Sequence, residues 1–383
     1  MAKKKFSERS RFSRWLLLAL QKQYASIGGQ AVIEGVMMRS PNAFVVAVRK
    51  PDGKILLRRD QWFGLGKKFE VFKKPFLRGV LVLIESMANG IVSLNYSANI
   101  AMDEEKKKEA LEKGISEEDY EKEKKKKEKV NWSTFLSMIV SFALGIGLFV
   151  FAPHTLTEWM SNLLGANWSL QSFQFHAIDG TIKACIFILY VFLIGFLPDI
   201  RRVFQYHGAE HKSISTFEAG EELNVDNAEK FTTLHPRCGT SFVFFLLFIS
   251  IVLFSVLFVF IPLEGRFPYL IKHLVAILIK VAFMLPIAGI SYEVIKLAGK
   301  YPNKLVCKGL SLPGMALQKL TTKNPDREQL EVALTSIKTV LNLEEKFNLK
   351  EVKEKVIQVE EIEIDSIDDI ENSSSQLKDF LEG

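Results

Sequence analysis

The stretch SFVFFLLFISIVLFSVLFVFIPL, residues 241–263, runs for 23 residues without a charged side chain. A helix needs about 20 mostly apolar residues to cross a bilayer, because the hydrocarbon core is about 30 Å thick and each residue adds about 1.5 Å. In water, a segment of this composition would expose large Phe, Leu and Ile side chains at a high cost. The stretch therefore predicts a transmembrane helix and an integral membrane protein.

Three further segments make the same prediction and bring the expected total to four. The predicted spans are residues 135–151, 177–197, 242–262 and 274–296. The fourth contains Lys280, whose ammonium we expect to reach outward to the membrane surface; the alternative is an ionisable group in a transport pathway. The predicted fold class is mainly α, a multi-pass helical membrane protein with four transmembrane helices and a small cytosolic N-terminal part that contains β structure.

Lysine and arginine are distributed unevenly between the predicted loops, which predicts an orientation. Residues 152–176, between the first two spans, contain no Lys or Arg, whereas residues 199–240, between the second and third, contain five. Cytosolic loops near membrane spans are enriched in these residues. We therefore expect residues 199–240 and both termini in the cytosol, and the protein in the plasma membrane.

The net charge of +6 is small for a chain of 383 residues. Its basic runs lie beside acidic runs or beside predicted spans, a pattern of membrane orientation and not of phosphate recognition. The expected partners are the lipid bilayer and a membrane or cytosolic protein, and no nucleic acid is expected. The basic start, residues 1–22, is expected to lie on the inner membrane surface.

Composition divides the chain into five expected parts. They are a cytosolic or interfacial N-terminal part (1–102), a charged helical insert (103–131), the four-helix membrane domain with its cytosolic loop 199–240 (132–298), a cytosolic C-terminal part (299–345) and an acidic, disordered tail (346–383). Residues 42–59 have the pattern of a β-hairpin. Apolar residues at helical spacing over 78–101 indicate an amphipathic helix on the membrane or the core, with a fifth span as the alternative.

The residues with the most distinctive chemistry lie in the predicted loop 199–240: His207, His211, His235 and Cys238. On a helix, His207 and His211 share a face because four residues make about one turn, so both rings can bind one metal ion. His235 and Cys238 form a second pair, and nitrogen together with thiolate suits Zn²⁺. The sequence predicts a zinc site with these four candidate ligands. Four ligands would make the site structural, whereas three would leave a position for catalysis.

Glu210 completes the pattern H-x-x-E-H, residues 207–211, which is the inverted signature of a class of zinc peptidases. In that signature the glutamate activates water, so Glu210 is the candidate catalytic residue. The motif specifies few residues and is weak by itself. The competing interpretation is a pair of histidines that hydrogen-bond near the membrane surface, with Cys238 as a small buried residue.

Five other polar residues are candidates for a supporting role: Glu34, Arg39, Glu218, Arg237 and Glu293. Glu34 and Arg39 belong to GGQAVIEGVMMRSP, residues 28–41, where glycines permit close backbone approach and the two charges are candidates for a pair. Either Glu218 or Glu293 is placed to supply a carboxylate to the metal. Glu293, at the inner end of the last span, is expected to need Arg201, Arg202 or a metal as a partner, unless it lies in water at headgroup level.

These stretches together resemble the YqhQ-like family, bacterial membrane proteins of undefined function that are labelled metal-dependent enzymes. The matching stretches are GGQAVIEGVMMRSP (28–41), FQYHGAEHKSIS (204–215), LHPRCGTSF (234–242), ISYEVIK (290–296) and PGMALQKLTTKNPDREQLEVAL (313–334). The resemblance covers most of residues 27–342. It implies that the His207/Glu210/His211 and His235/Cys238 groups are family features, and it does not imply a reaction.

Three functional hypotheses follow from these features. The first is a metal-dependent hydrolase at the membrane surface, in which Glu210 is the general base and the substrate is a lipid headgroup or a peptide. The second is a non-enzymatic membrane assembly, biogenesis or scaffold factor, in which the His/Cys cluster only holds the structure together. A transporter is the third, and the few buried charges of the predicted spans support it least.

Overall fold

The computed structural model of the protein describes residues 27–62, 74–113, 116, 132–236, 238–261, 263, 268–300, 305–349 and 360–371. The strands are β1 (Gly28–Val32), β2 (Gly35–Arg39), β3 (Ala43–Arg49), β4 (Ile55–Gln61) and β5 (Glu360–Ile364). The helices are α1 (Leu77–Glu112), α2 (Trp132–Ile146), α3 (Ala152–Leu163), α4 (Phe173–Ile194), α5 (Pro198–Glu218), α6 (Val225–Glu229), α7 (Gly239–Leu257), α8 (Tyr269–Lys300), α9 (Leu305–Thr321) and α10 (Arg327–Leu349).

The chain forms two compact units. The sheet unit comprises Met1–Glu104, Gly195–Phe242 and Glu293–Gly383, and the helical unit comprises Glu105–Ile194 and Val243–Tyr292. The expected basic segment 1–22 and most of the insert 103–131 lie outside the described residues. Each unit therefore collects pieces of chain that are far apart in sequence.

The sheet unit is built on a five-stranded antiparallel sheet whose strands follow one another in chain order. The central strand β3 is apolar throughout most of its length and buried on both faces. Its Val45 and Ala47 belong to a core with α10 and α5, whereas Val46 lies on the other face, where Tyr96 of α1 packs. The β-hairpin predicted over 42–59 is confirmed as β3 and β4.

The expectation of a disordered tail is wrong for residues 360–371. β5 pairs with β4, with Ile364 opposite Ile55. Its Glu363 lies 3.1 Å from the Lys50 ammonium and 3.0 Å from that of Lys54. The acidic composition that suggests disorder instead complements a basic sheet edge, and such complementary charges stabilise cross-strand pairing.

Five helices among the described residues are long and apolar enough to cross a membrane, one more than predicted. They are Leu77–Glu112, Ile139–Leu163, Phe173–Ile194, Gly239–Phe260 and Ile271–Leu297. The second of these extends beyond the predicted end at residue 151, because a π-helical segment, Gly147–Phe151, joins α2 to α3 without a break. The additional helix is α1, which continues from the predicted amphipathic segment into the charged insert over 36 residues.

Helix α1 has its polar and apolar faces reversed relative to a helix of a soluble core. Its buried polar residues recur at intervals of four: Glu85, Asn89, Ser93 and Ser97. Large apolar residues are exposed over the same stretch: Ile84, Met87, Ile91 and Leu94. Water disfavours such an outer face, whereas lipid does not.

The prediction that Lys280 reaches the membrane surface is wrong. Its ammonium lies 2.7 Å from the Asp179 carboxylate, and both side chains are buried in the helical unit. A buried ammonium without a carboxylate beside it would be strongly destabilising, and Asp179 supplies this partner. The pair therefore belongs to the interior of this unit.

Candidate metal centre

Three side chains of the sheet unit bring ligand atoms to one point. His207, His211 and Cys238 each offer one atom, and these atoms lie within 4.8 Å of one another. His207 Nε2 is 3.1 Å from Cys238 Sγ. As the spacing predicted, the two histidines lie one turn apart on the same helix, α5. Cys238 is the residue immediately before α7, and its sulfur lies beside the two rings.

Both imidazoles are held by backbone carbonyls in the same way. His207 Nδ1 lies 2.9 Å from the Thr321 carbonyl oxygen, and His211 Nδ1 lies 2.5 Å from that of Thr233. A carbonyl oxygen only accepts, so both Nδ1 atoms carry the proton and both Nε2 atoms present a lone pair. The Nε2 of His211 is buried and has no hydrogen-bond partner among the described residues. Metal-binding histidines are commonly oriented by this type of hydrogen bond.

Gly208 allows the close approach that produces one of these contacts. A Cβ at this position would lie 2.1 Å from the Lys323 carbonyl oxygen, so only glycine fits there. The backbone N–H of Lys323 donates to the Phe204 carbonyl at 2.9 Å, which fixes the segment against α5. Gly208 therefore lets the segment that contains Thr321 and Lys323 pack closely against α5. In this position the Thr321 carbonyl oxygen reaches the His207 ring.

The Cys238 thiol lies at the start of α7, where backbone N–H groups point outward. Its sulfur accepts hydrogen bonds from the backbone N–H of Thr240 at 3.4 Å and from the hydroxyl of the same residue at 3.3 Å. Helix N-termini favour negative charge. These hydrogen bonds fix the position of the sulfur beside the two imidazoles.

Glu210 points toward the β1–β2 hairpin. The backbone N–H of Gly29 donates a hydrogen bond to its carboxylate, which also interacts electrostatically with His207 and His235. A Cβ at Gly29 would lie 2.8 Å from Glu210 Cγ, so the hairpin backbone touches the side chain directly. The close backbone approach expected at residues 28–29 is thus an approach to the candidate catalytic residue.

His235 is buried beside the three ligands and is bonded to a different group. Its Nε2 lies 3.2 Å from a carboxylate oxygen of Glu218, and its ring centroid is 5.7 Å from that of His211. The Gln318 side chain accepts from the His235 N–H at 2.9 Å and donates to the His235 carbonyl at 2.8 Å. The structure therefore groups three of the four predicted ligands and pairs the fourth with Glu218.

Burial sets the protonation of these groups. Desolvation lowers the pKa of His211 and lowers the pKa of His235 to about 4, so both rings are neutral near pH 7. Desolvation also raises the pKa of the Glu210 carboxyl, an effect that His207, His235 and the Gly29 N–H partly offset. A neutral imidazole is the form that binds metal. His211 therefore needs no prior deprotonation at neutral pH.

The pair suggested for Glu34 and Arg39 is not the one that Glu34 forms. Two guanidinium nitrogens of Arg202, on α5, donate one hydrogen bond to each carboxylate oxygen of Glu34, both at 2.5 Å. It lies at the turn between β1 and β2 with a left-handed φ of 51°, a conformation that costs a non-glycine residue some free energy. The Arg39 guanidinium lies over the Trp62 ring, 4.7 Å from its centroid. Glu34 therefore ties the hairpin to the helix that carries His207.

The arginine partner of Glu293 is Arg78 of α1, and not Arg201 or Arg202 as the sequence suggested. The Arg78 Nε donates to Glu293 at 2.7 Å, and a second guanidinium nitrogen bonds the other carboxylate oxygen. The backbone N–H of Phe76 also donates to this carboxylate, at 3.2 Å. Glu293 thus fixes the start of α1 and takes no part in the metal centre. Arg237 lies outside the described residues.

The donor set fits zinc. Zinc binds imidazole nitrogen at about 2.0 Å and thiolate sulfur at about 2.3 Å, which puts tetrahedral ligand atoms roughly 3 to 4 Å apart. The three ligand atoms are already within 4.8 Å of one another. The buried Nε2 of His211 lies beside the Cys238 thiol, the third candidate ligand. His207, His211 and Cys238 are therefore the residues that would hold the ion.

Three residues that support the site carry no recognisable signal in the sequence. Thr321 and Thr233 act through backbone carbonyls, for which any residue would serve. Gln318 acts through its side chain, but nothing in its neighbourhood points to His235, 83 positions away. The one available hint is that Gln318 and Thr321 lie inside the stretch 313–334 on which the family resemblance rests.

Comparison with known proteins agrees with that resemblance. A family described as proteins of unknown function, DUF1385, matches residues 74–343. The uncharacterized protein YqhQ of Bacillus subtilis (strain 168) is 35% identical over 326 residues, which are 83% of this chain and 92% of the relative. No solved structure matches the chain. All three grouped ligand residues fall within the region matched by the family.

Proposed function

This chain belongs to the DUF1385 family, and we propose that it is a membrane-bound, metal-dependent hydrolase whose zinc ion is held by His207, His211 and Cys238. The observation that carries the proposal is the common orientation of the two imidazoles. Each donates its Nδ1–H to a backbone carbonyl. The Nε2 atom of each ring, beside the Cys238 thiol, is left to bind a metal. Two rings fixed in this way are preorganised for a metal.

The number of ligands favours catalysis over a purely structural role. A zinc ion with three protein ligands supplies a Lewis acid with one open coordination position, whereas structural sites usually have four. His235, the fourth predicted ligand, is bonded to Glu218 and held from its backbone by Gln318. The donor set is therefore that of an open site.

Glu210 is the candidate general base. Its carboxylate is buried and interacts electrostatically with His207, a ligand, and with His235. The raised pKa moves this group toward the range in which a carboxyl both accepts and returns a proton near neutral pH. The Gly29 N–H holds the carboxylate in place, so its position does not depend on the substrate.

The sheet supports four membrane crossings. β1 to β4 precede all five apolar helices and β5 follows them, yet β4 and β5 are neighbours in one sheet. Both ends of the helical series therefore lie on one side of the bilayer, which requires an even number of crossings. Helix α1 is the one that does not cross, because its Tyr96 and Ile100 pack on the sheet. The positive-inside rule places that side in the cytosol.

Helix α1 then lies at the cytosolic surface of the membrane. Its first turn is bonded to Glu293 through Arg78, and several of its large apolar side chains are exposed. Gly90, on its inner side, touches Gln30 of the hairpin whose Gly29 holds Glu210. The candidate centre thus belongs to the same packed unit as a lipid-facing helix, which supports a substrate at the membrane surface, a lipid headgroup or a membrane-proximal peptide.

One observation favours the alternative, a scaffold in which the cluster has only a structural role. His211, Glu210 and His235 are all buried, and structural sites are usually inaccessible. In that case the metal, or the hydrogen-bonded cluster without metal, holds α5 against residues 233–238. The protein would then act in membrane assembly or biogenesis through its cytosolic surface.

Metal content and one isosteric variant separate these possibilities. We expect the purified full-length protein to contain about one zinc per chain, and His207→Ala, His211→Ala and Cys238→Ser each to lose most of it. His235→Gln is the matched control, a buried histidine outside the three-ligand group, and it should keep the metal. Metal content is measured by mass spectrometry after dialysis, with folding checked by thermal unfolding in detergent.

Catalysis is tested with Glu210→Gln, which preserves size and removes the base. We expect this variant to retain zinc and to lose at least about 100-fold in hydrolysis of vesicles made from a polar lipid extract or of membrane peptides, since a general base contributes about 10² to 10⁴ in rate. Absence of stoichiometric metal in the wild type would overturn the metal proposal. Metal without any hydrolysis that depends on Glu210 would support the scaffold instead.

A further inference from the structure

A second group of ionisable side chains lies wholly within the helical unit. His154 comes from α3, Asp179 and Lys183 come from α4, and His273 and Lys280 come from α8. His154, Asp179 and Lys280 are each at most 8% exposed. Ionisable residues are rare in apolar helices because an unpaired charge is costly there, and they commonly mark a function. None of these residues belongs to the candidate metal centre.

These side chains form a continuous series that leads inward. Half-buried His273 contacts His154 through Nδ1 and Nε2, which are 2.5 Å apart. The other nitrogen of His154, Nδ1, lies 3.9 Å from Asp179 Oδ1. Asp179 Oδ2 lies 2.7 Å from Lys280 Nζ and 3.8 Å from Lys183 Nζ. Each member is thus within 4 Å of the next. The His154–Asp179 separation is longer than a hydrogen bond, and the two atoms that face each other are buried without a hydrogen-bond partner among the described residues. The His273 ring is half-buried, and its Nε2 is buried.

The inner end of the series has more bases than acids. One carboxylate, Asp179, is shared by two lysines, Lys183 and Lys280. If both amines are protonated, the group carries a net positive charge in apolar surroundings, a costly state that favours release of the second proton. The state with least charge has one ammonium and one neutral amine, and this amine is a proton acceptor.

We propose that the helical unit contains a proton-exchange site, with the His273/His154 pair as its relay and the Asp179/Lys183/Lys280 group as its acceptor. A proton bound at His273 Nε2, a buried atom, makes an imidazolium, whose Nδ1–H passes to His154 Nε2. His154 then gives its Nδ1 proton to the carboxylate, and the neutral amine takes it from there to become the second ammonium. One proton enters and one is held, and both rings are left in the opposite tautomer until they rotate or the proton returns.

The surroundings of the two rings are otherwise largely apolar. The further charged groups that act on them are Glu158 of α3 and Lys272 of α8. The sequence of α7, GTSFVFFLLFISIVLFSVL, contains no ionisable side chain apart from hydroxyls. A metal ion is a poorer occupant than a proton, because the Lys280 ammonium already occupies the carboxylate at 2.7 Å. The exchangeable species that the geometry fits is therefore the proton.

Histidine titration tests this site directly. The full-length protein, labelled with ¹⁵N in its six histidines, is followed by nuclear magnetic resonance in detergent micelles from about pH 5 to 9, a range around the ordinary histidine pKa of about 6.5. We expect His154 and His273 to titrate as a coupled pair, each showing both steps. We expect His273→Gln to move or abolish the transition of His154 by more than about one pH unit, the coupling that defines interacting sites.

The matched control is His176→Gln. His176 is buried in the same unit, but its ring bonds to the Leu170 carbonyl and stacks on Phe258, outside the series. This variant should leave the coupled transition in place, and Asp179→Asn should alter it. Independent single-step curves for His154 and His273 in the wild type, or the absence of a transition at either ring, would overturn the proposal. The wild-type titration decides the question even if a variant does not fold.

Discussion

At Gly29 a hydrogen atom is the only side chain that fits. A Cβ there would lie 2.7 Å from the Met37 carbonyl oxygen and 2.8 Å from Glu210 Cγ. The N–H of the same residue donates to the Glu210 carboxylate. One glycine thus sets both the position and the electrostatic surroundings of the candidate base, which is 181 positions further along the chain.

We therefore predict opposite results for Ala at two adjacent glycines. Gly29→Ala should lower the free energy of unfolding by about 1–3 kcal/mol, the usual cost of overpacking, and should reduce hydrolysis by displacing Glu210. Gly28→Ala is the control, because its Cβ would meet only Arg39 Nε, at an ordinary 3.7 Å. Thermal unfolding in detergent measures both, and equal stability of the two variants would contradict this account of Gly29.

At this scale the sequence predicts what is local and misses what is distant. The spacing of His207 and His211 fixes their shared face, because helix geometry alone determines it. The partner of Glu34 is Arg202, 168 positions away, and no pattern near Glu34 contains that information. The sequence also does not reveal that His235 pairs with Glu218. Both residues are close in sequence to the metal-ligand candidates, and only the packing of the folded chain decides which side chains face the metal centre.

Among the elements, α1 shows how composition can leave an assignment open. The four predicted spans are apolar around most of their circumference, so length and composition identify them. Helix α1 is apolar enough to satisfy the same criteria, yet it presents Glu85, Asn89 and Ser93 inward. Because the sequence does not reveal which face meets protein and which meets lipid, it supports both an interfacial helix and a span.

The interfacial placement of α1 predicts how two positions react with a water-soluble maleimide in intact membranes. A cysteine at Ile91, which is 54% exposed in the protein, should label slowly because lipid covers it, and should label fast in mild detergent. A cysteine at Glu109 on the same helix, 61% exposed, should label fast in both conditions. The labelling of each variant is measured as the excess over the labelling of the parent protein. Fast labelling of Ile91→Cys in membranes would place this face of α1 in water.

For the whole molecule, the arrangement of the sheet is more informative about topology than the count of apolar helices. A count of five would put the two ends of the chain on opposite sides of the bilayer. In the proposed membrane arrangement, the pairing of β4 with β5 puts these two strands on the same side. The sequence of the tail does not reveal this pairing. The segment EEIEI is short and acidic, and its strand is stabilised by basic side chains from a distant part of the chain.

The four-crossing topology predicts labelling from one side only at each of two exposed positions. A cysteine at Ala166, in the turn between α3 and α4, should react with an impermeant maleimide added to intact cells. A cysteine at Asp365, whose side chain is 84% exposed, should react only after the membrane is permeabilised. Reaction of Asp365→Cys in intact cells would reverse the orientation. Ser161, at the end of α3, is a poorer probe because it is buried.

The pairing of β5 with β4 also has a consequence for biosynthesis. A ribosome releases β1 to β4 early, but the strand that covers the β4 edge and the helix α10 that covers one face of the sheet emerge only after every membrane segment. The nascent sheet therefore has an open edge and an uncovered apolar face during the time in which the translocation machinery inserts the helices. Such intermediates are prone to aggregation. A chaperone or the bilayer surface that shields this half-built sheet would be a requirement of the chain order itself.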